Sequence, residues 1–486
     1  MPGGIIQLAV YGAQDYYLTS NPQISFFKSV YRRHTNFSME MINILPSLDN
    51  KLSDTTETTI EFTISRSGDL VKDMYLVFTL PNIYSTSTEK FQWIRNIGEF
   101  IIKEITFNIG GREIDKQYGE WLHIWSELSL PESKRDGYNR MIGNVLEIYD
   151  PENVTGSSGY PTESTVVPSI KERKIYVPLQ FWFNQNYGNA FPLIAMQYDS
   201  APVIRILLRK LNELYTLISA TKRIAPTSSH NIGKFLTYLN TDSTTNTLDI
   251  IPSLEANYIF LDKEERKRFA IVEHEYLIKQ IQHVEKAIVP TTSEATTVVE
   301  LKLQHPVSDL NWMARRTDLE AVNQWHNFTN WPLINYDPTI PSYLTPDTNP
   351  FGSEYTINSS TYTSLKDKNP IKSATLRLNG MERFDTKDSN MFNLVNNYQQ
   401  HQRVPKDGIS VYSFGLESYK YQPSGTCNMS RFNPIELLVT TIPHAGADVS
   451  GVKTEAPYYD YNVHLYAVNY NIFRMIGGLG DVEFSS

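Results

Sequence analysis

An internal repeat constrains the fold of this chain more than any other feature. Two series of extended, β-branched and aromatic segments follow one another along its 486 residues, and four short patterns of the first series recur in the same order in the second. The pairs are Val71-x-Asp73-Met74 with Val307-x-Asp309-Leu310, 58–64 with 296–303 (one residue of slack), 102–113 with 371–382, and Pro202-Val203-Ile204 with Pro434-Ile435-Glu436. Four pairs in one order predict a duplicated β-domain.

Each series contains about eight predicted strands, the number that one jelly roll needs. In the first series they are 37–44, 58–65, 71–80, 101–109, 174–181, 191–198, 203–209 and 257–262. In the second they are 275–283, 296–304, 307–315, 371–379, 409–416, 426–432, 435–442 and 462–475. The sequence therefore predicts an all-β fold of two tandem eight-stranded antiparallel jelly rolls, a double jelly roll, with short helices and long loops.

The segments outside the strands suggest how the chain is divided. We expect an N-terminal arm at 1–36, a first jelly roll at 37–262, a connector helix at 263–273 and a second jelly roll at 274–486. The connector is predicted from the abrupt run of charged, helix-forming residues that begins at Asp262.

Asn21-Pro22 in the arm has the pattern of a helix start, with Pro at the first helical position. The predicted short helix ends in the basic cluster Lys28, Arg32, Arg33 and His34. This cluster is interpreted as a solvated helix end that complements its own dipole, with contacts to phosphates or to a partner's carboxylates as the alternative.

Long insertions interrupt both halves. The offset between equivalent residues grows from 236 (Val71 to Val307) to 269 (Ile102 to Ile371), which locates an insertion at 317–370 in the second half. Its content of Tyr, Pro, Ser, Thr and Asn predicts a long surface loop, which a compact domain normally keeps only for function. In the first half, 112–173 contains a predicted helix near 120–128, and a further excursion spans 211–255.

Residues 408–432 predict a hairpin, since a β-branched and aromatic run is followed by the turn formers Gln422-Pro-Ser-Gly425 and a second extended run. The segments Tyr412-Ser-Phe-Gly-Leu416 and Gln422-Pro-Ser-Gly-Thr-Cys-Asn-Met-Ser-Arg431 closely resemble a hairpin of the major capsid proteins of nucleocytoplasmic large DNA viruses. Three other stretches are similar to the same family, at 11–37, at 177–184 with 191–198, and at 466–480. The loops at 130–170, 212–255 and 317–370 carry little of the resemblance.

The resemblance implies a non-enzymatic structural protein that forms homotrimeric, pseudo-hexagonal capsomers of a large icosahedral shell. Implied partners are neighbouring capsomers, penton and minor capsid proteins, and an inner membrane reached through the arm. The implied location is the virion capsid, assembled in the host cytoplasm. Two alternatives remain open at this point. One is a minor capsid protein on the same fold, and the other is a carbohydrate-binding or carbohydrate-cleaving β-sandwich, which for cleavage would need paired carboxylates.

Charge and cysteine content narrow the function classes. The chain has 44 Lys and Arg against 53 Asp and Glu, a formal net charge of −9, so its whole surface is unsuited to tight binding of nucleic acid phosphates. We expect no direct nucleic acid binding. The single cysteine, Cys427, excludes an intrachain disulfide and is interpreted as a small buried residue within a strand.

No pattern for catalysis or metal binding is found. The ten histidines stand singly, without the spacing of a metal site, and His274 and His283 are interpreted as structural residues that flank a strand. The Gly477-Gly478-Leu479-Gly480 run is predicted to end the last strand, since it lacks the βαβ context of a phosphate-binding loop. We therefore expect no catalytic, cofactor-binding or metal-ligating residues.

Overall fold

The computed structural model describes residues 3–484, except for 49–50, 86–88, 152–166, 200, 220–221, 228–229, 238–247, 249, 290–293, 321, 331–368 and 443–458. Most of the predicted insertion at 317–370 therefore lies outside the described residues, as does part of the 211–255 excursion.

Antiparallel strands dominate the described chain. The strands are β1 (Phe37–Ile44), β2 (Thr58–Thr63), β3 (Leu70–Leu80), β4 (Glu89–Trp93), β5 (Ile102–Ile109), β6 (Arg112–Tyr118), β7 (Arg173–Pro178), β8 (Val203–Leu208), β9 (Tyr215–Ser219), β10 (Lys222–Ile224), β11 (Ser253–Leu261), β12 (His274–Ile288), β13 (Ala295–Glu300), β14 (Pro306–Arg316), β15 (Ile371–Leu378), β16 (Met381–Glu382), β17 (Lys387–Asp388), β18 (Ser410–Ser413), β19 (Cys427–Asn428), β20 (Ile435–Thr441), β21 (Tyr461–Ile476) and β22 (Leu479–Val482).

The helices are short; two precede the first strand, and the others lie between strands. They are α1 (Gly3–Ala9), α2 (Asp15–Thr19), α3 (Ile97–Phe100), α4 (Gly119–Ser129), α5 (Glu132–Ile142), α6 (Leu146–Tyr149), α7 (Trp182–Gln185), α8 (Gly233–Leu236), α9 (Lys263–Ile271), α10 (Thr317–Glu320) and α11 (Asn396–Gln400). Helix α4 occupies the predicted 120–128 segment, and α9 lies where the charged connector predicts a helix. Among the described residues, no helix is long and apolar enough to span a membrane.

The two halves have the same strand order. The first half forms the sheets β1-β11-β3-β7 and β2-β8-β5-β6, and the second forms β12-β21-β14-β18 and β13-β20-β15-β16. Each strand in the sheets of the first half has a counterpart at the same place in the sheets of the second half. Each of the four repeated patterns lies on such a pair of corresponding strands. The prediction of two eight-stranded antiparallel jelly rolls is confirmed.

The best-matched repeat corresponds to a hairpin that occurs once in each barrel. Two-residue turns join β5 to β6 through Gly110-Gly111 and β15 to β16 through Asn379-Gly380. All four turn residues have positive φ, at 56° and 81° in the first turn and at 53° and 78° in the second. A type I′ turn requires such angles at both central residues, which Gly and Asn adopt most readily. The turn geometry explains why this pattern is retained in both halves.

Each barrel has its own apolar core. The first core is rich in aromatic rings, and Phe107 at its centre lies 5.2–5.7 Å from the rings of Phe181, Trp182, Phe183 and Phe191. The second core is built around Trp312, whose ring meets Phe392 at 4.9 Å, and is mainly aliphatic. A third cluster of buried residues lies between the barrels and is described below.

The predicted helix that starts at Asn21 is wrong. The arm contains α1 and α2 instead, and residues 21–36 are not helical. Asn21 itself has a left-handed φ of 50°, and the apolar residues of the expected helix are exposed. A short amphipathic helix gains most of its stability from packing. No part of the described chain packs against the apolar residues of 21–36, so the expected helix does not form.

Two of the predicted barrel strands are also wrong. Phe191 makes only an isolated bridge to Val71, and a 3₁₀ turn, Leu193–Ala195, follows it. The eighth strand of the first barrel is β6, which the sequence analysis placed in an insertion because its charged residues hide the alternation. In the second barrel, 426–432 contributes only β19 and a 3₁₀ turn, and β16 completes the sheet.

The hairpin predicted at 408–432 is not formed. Strands β18 and β19 do not pair with each other, because both pair with successive parts of β14. The chain between them folds into compact turns, in which Ser424 Oγ accepts hydrogen bonds from the backbone N–H groups of Leu416 and Glu417. The Gly477-Gly478 pair is the turn between β21 and β22, so it ends the long strand as predicted.

Candidate functional site at the seam between the barrels

Helix α4 is the structural centre of the seam between the two barrels. It follows β6 directly, and nine of its eleven residues are buried. Leu122 faces the core of the first barrel, whereas Trp121, Ile124 and Leu128 belong to the third cluster. The second barrel contributes six residues to that cluster from its strands and adjoining loops: Met313, Phe328, Ile409, Val411, Tyr466 and Val468. One helix therefore shares its apolar surface between both barrels.

The start of α4 depends on Gly119. A Cβ at this position would lie 2.1 Å from the carbonyl oxygen of Ile102 and 2.5 Å from that of Glu99. Both atoms belong to the backbone of the first barrel and cannot rotate away. The helix can approach the barrel this closely only because residue 119 has no side chain.

We expect Gly119→Ala to lower the free energy of unfolding by about 1–3 kcal/mol or more, the usual range for overpacking a closely packed site. Gly137→Ala, within α5, is the matched control, since a Cβ there meets nothing within 4 Å. The control should be neutral or stabilising by about 0.5–1 kcal/mol, because Ala favours helix more than Gly. Denaturant unfolding of both variants is the measurement, and equal effects of the two would contradict the proposed close approach.

A buried ion pair joins the barrels across the seam. Glu120 of α4 lies 2.7 Å from the guanidinium of Arg315 on β14, and the hydroxyl of Tyr466 on β21 donates a hydrogen bond of 2.9 Å to it. Arg209 and His464 lie within 3.8 Å of the same carboxylate. Burial opposes ionisation of Glu120, but the charges of Arg315, His464 and Arg209 and the hydrogen bond from Arg315 together outweigh it and hold the pKa of Glu120 well below its usual range.

A second acidic group connects the other end of α4 to the second barrel. Glu127 lies 2.7 Å from Arg403 and 3.2 Å from Lys406, both in the segment before β18, and 3.6 Å from Arg135 of α5. Burial alone would raise the pKa of Glu127, but these cations together with His123 lower it to about 2. The carboxylate is therefore fully ionised at neutral pH.

A third buried carboxylate, Glu99, organises the helices of the first barrel. It accepts hydrogen bonds from the side chains of His123, Ser126, Tyr138 and Asn96, at 2.7–2.9 Å. Burial opposes its charge, and His123 lowers its pKa despite this. Ser126 Oγ is within hydrogen-bond distance of Glu99 and of the backbone carbonyl oxygen of His123, at 2.9 and 2.8 Å, and Glu99 is 0% exposed. The serine hydroxyl is thus directed at the carboxylate and at a carbonyl and not at the His123 ring, so the group is a buried structural network without the geometry of a catalytic triad.

The described first residues of the 317–370 insertion connect the second barrel to the first. Asn323 donates hydrogen bonds to the carbonyl oxygens of Asn212 and Tyr215, at 2.7 and 2.8 Å, and Trp325 donates one to that of Glu213 at 2.9 Å. The guanidinium of Arg209 stacks over the Trp325 ring at 4.2 Å. The seam is thus closed by polar contacts at this side as well.

The histidines do not all stand alone, contrary to the sequence analysis. His274 and His283 both lie within β12 and do not flank it. His283 Nε2 lies 3.2 Å from Nδ1 of His464, and these two residues and Glu285 place three potential ligand atoms within 4.8 Å of one another. Burial, and then the neighbouring His464, lower the pKa of His283 to about 4. The sequence offered one signal, the His-x-Glu spacing at 283–285, but strand pairing was needed to bring in His464.

The remaining candidates from the sequence give little chemistry. Cys427 lies on β19, half-buried, and burial raises the pKa of its thiol, which makes it a poor nucleophile. A cleft of about 650 Å³ beside the seam is lined by Tyr75, Tyr138, Tyr419 and Tyr421. Asp73 is the one carboxylate among the described residues that line it. The pair of carboxylates that glycoside cleavage requires is not formed there.

The arm carries an unusual number of exposed apolar side chains. They include Leu8, Tyr17, Leu18, Phe26, Phe27, Val30 and Tyr31, each at least 84% exposed. The basic cluster Lys28, Arg32, Arg33 and His34 is likewise exposed, and it lies outside any helix, so the helix-dipole interpretation is wrong. The apolar stripe continues onto edge strand β1, where Phe37, Met39 and Met41 are about half exposed.

Comparison with known proteins gives one family for the whole chain. Residues 25–262 match the model described as "Major capsid protein N-terminus", and residues 265–481 match "Large eukaryotic DNA virus major capsid protein". The major capsid protein of Phaeocystis pouchetii virus is 34% identical and that of Paramecium bursaria Chlorella virus 1 is 31% identical, each alignment covering 100% of both chains.

Solved structures give the same family and fold. The chain in a quasi-atomic model of the PBCV-1 virus capsid matches with a TM-score of 0.67 and 26% identity, over 95% of this chain and 100% of that one. The Faustovirus major capsid protein matches with a TM-score of 0.64 and 14% identity, over 95% of this chain and 94% of that one, and shows the shared fold alone.

Proposed function

Since the chain belongs to the family of large eukaryotic DNA virus major capsid proteins, we propose that it builds the shell as a homotrimeric, pseudo-hexagonal capsomer. Members of this family are structural components of the virion capsid and not enzymes, and this chain is one of them. The proposal concerns how the chain performs that role.

The observation that carries the proposal is the duplication of one barrel within one chain. Two jelly rolls with the same strand order lie side by side and are joined by a buried seam of apolar contacts and ion pairs. Three such chains around a three-fold axis present six similar walls. A molecule with cyclic three-fold symmetry can then occupy a site that has six neighbours.

The exposed apolar stripe of the arm and β1 supports an assembly role. Isolated soluble chains rarely expose this much contiguous apolar surface, so it is expected to be covered in the functional state. We assign it to contacts within the shell, with neighbouring capsomers, penton and minor capsid proteins, or with an inner membrane. Direct nucleic acid binding is not part of the proposal, since the net charge is −9.

We also propose a division of the chain into four parts, based on the two barrels and the charged connector between them. We assign an arm to residues 1–36, barrels to 37–262 and 274–486, and a connector to 263–273. The expectation that all of 317–370 is a surface loop is wrong for its first residues, since the described residues of 317–330 are largely buried at the seam, and we propose that the rest of the insertion lies at the outer surface of the shell. Assembly is proposed to take place in the host cytoplasm, a reducing compartment that suits a chain whose only cysteine is Cys427.

Electron cryomicroscopy of shells that contain this chain tests the proposal. The expected image is a hexagonal array in which each capsomer holds three copies of the chain and six barrels. Capsomers with two or six copies of the chain would overturn it. Its abundance in purified virions separates the major protein from a low-copy variant, since the major protein dominates.

Deletion of residues 1–25 is expected to leave the barrels folded and to impair shell formation. The deleted residues contribute no member to the described apolar cores, so the melting temperature should change little. Thermal unfolding and particle assembly are measured on the same preparations. Loss of soluble expression would contradict this expectation and would make the arm part of the folded core.

A further inference from the structure

The trio His283, Glu285 and His464 lies on one face of the two longest strands of the second barrel. His283 and Glu285 are two residues apart on β12, so their side chains point to the same side of the sheet. In the pairing of β12 with β21, Glu285 is directly opposite His464, and His283 is opposite Tyr466. The three side chains are therefore direct or diagonal cross-strand neighbours.

The distances fit a tetrahedral ion. His283 Nε2 and His464 Nδ1 are 3.2 Å apart, and the three potential ligand atoms all lie within 4.8 Å of one another. Two imidazole nitrogens bound to zinc at tetrahedral angles are about 3.3–3.4 Å apart, given zinc–nitrogen distances of about 2.0–2.1 Å. The spacing of the two nitrogens therefore already matches a shared zinc ion, and binding requires both rings and the exposed Glu285 carboxylate to rotate toward it.

The surrounding residues hold the rings in this orientation. The His283 ring stacks on Tyr466 at 4.6 Å and 16°, and it meets Tyr118 of the first barrel at 4.9 Å. The two histidine rings are parallel within 6°. The rings of Tyr466 and Tyr118, which are themselves 5.8 Å apart, therefore pack against the His283 side chain at the seam and restrict its orientation.

The charges and the access also suit a cation. Glu285 supplies one negative charge beside the two imidazole nitrogens. Glu120 lies 3.8 Å from Nδ1 of His464, but its charge is already paired with Arg315 and Arg209, so Glu285 is the anionic ligand on which the site depends. Glu285 is exposed, so an ion can enter from solvent on that side.

We propose that His283, Glu285 and His464 form a zinc site, with water as the fourth ligand, that fastens β12 to β21 beside the seam. Two imidazoles and one carboxylate are ligands of the kind that zinc accepts, whereas calcium and magnesium prefer oxygen alone. This site is independent of the capsomer proposal. The rival explanation of the short contact is a direct hydrogen bond between two neutral imidazoles, which needs neither Glu285 nor a metal.

The test uses the full chain without an affinity tag, stripped with a chelator and titrated with Zn²⁺ by calorimetry. We expect one zinc per chain, a higher melting temperature with zinc, and the visible absorption of a tetrahedral site when Co²⁺ replaces it. Glu285→Gln should weaken binding at least about tenfold, since even the loss of an outer partner of a metal ligand costs about 10–100-fold. His283→Asn should do the same.

His34→Ala is the matched control, because it removes an exposed histidine of the arm and should leave zinc affinity unchanged. Glu285 is exposed, so Glu285→Gln should keep the metal-free melting temperature and stays informative even if a variant at buried His464 fails to fold. Equal zinc affinity in the native chain and in Glu285→Gln and His283→Asn would overturn the site. So would the absence of zinc binding, or an octahedral Co²⁺ spectrum, in the native chain.

Discussion

Replacing Arg315 by methionine is expected to destabilise the chain by about 3–5 kcal/mol, the usual effect of removing one partner of a buried ion pair. Arg315 is 2% exposed and Glu120 is 6% exposed, so neither charge can be solvated when the other is lost. The free energy of unfolding is measured by denaturant at one fixed protein concentration, because unfolding of an oligomer depends on concentration.

Two further variants separate the charge from the packing. Arg315→Met combined with Glu120→Gln should recover most of the loss, because a pair of well-packed neutral side chains can replace a buried ion pair at little cost. Lys103→Met removes one partner of the exposed pair with Glu57, and it should change stability by less than about 1 kcal/mol. If Arg315→Met behaved like Lys103→Met, the seam would not depend on this ion pair.

Acidification is expected to weaken the seam through Glu127. Its pKa falls from 4.5 in the unfolded chain to about 2 in the folded one, under the influence of Lys406, His123, Arg135 and Arg403. A carboxylate with a lowered folded-state pKa contributes stability that is complete above about pH 4.5 and is lost as pH falls toward 2. The shift corresponds to about 3 kcal/mol for this one group.

The measurement is the free energy of unfolding between pH 6 and pH 2, for the native chain and for Glu127→Gln. The variant should be less stable at pH 6, and its stability should fall less steeply below pH 4.5. Glu120 and Glu99 change in the same direction, so some acid sensitivity will remain in the variant. Parallel curves for both proteins would contradict a role for the Glu127 charge.

The repeat was enough to predict the architecture, because each repeated pattern lies on a strand or turn that occupies the same place in both barrels. Gly111 and Gly380 occupy equivalent tight turns with positive φ, and Asp73 and Asp309 lie on equivalent strands. Local patterns failed where tertiary pairing decides the outcome. Strand β6 is rich in charged residues, yet it forms because it pairs with its neighbour β5. The apolar 191–198 segment, in contrast, makes only an isolated bridge and a 3₁₀ turn.

The seam and the histidine trio lay beyond sequence reasoning for a different reason. Tyr466 and Glu120 are separated by 346 residues, and His464 and His283 by 181, so no spacing rule connects them. Their side chains meet only after two strands pair and two barrels pack. The charged residues Glu120 and Glu127 in the largely apolar α4 were the hint for the seam, and the His-x-Glu spacing at 283–285 was the hint for the trio.

The most direct test of the account is the native mass of the purified chain under reducing conditions. Two barrels joined by a buried seam, with an exposed apolar arm and edge strand, should give a trimer of about 167 kDa, three times the 55.8 kDa of the chain. Obligate interfaces of this kind bury upwards of about 2,000 Å², so the trimer should persist at micromolar concentration. A single species at 55.8 kDa at that concentration would contradict the capsomer that we propose.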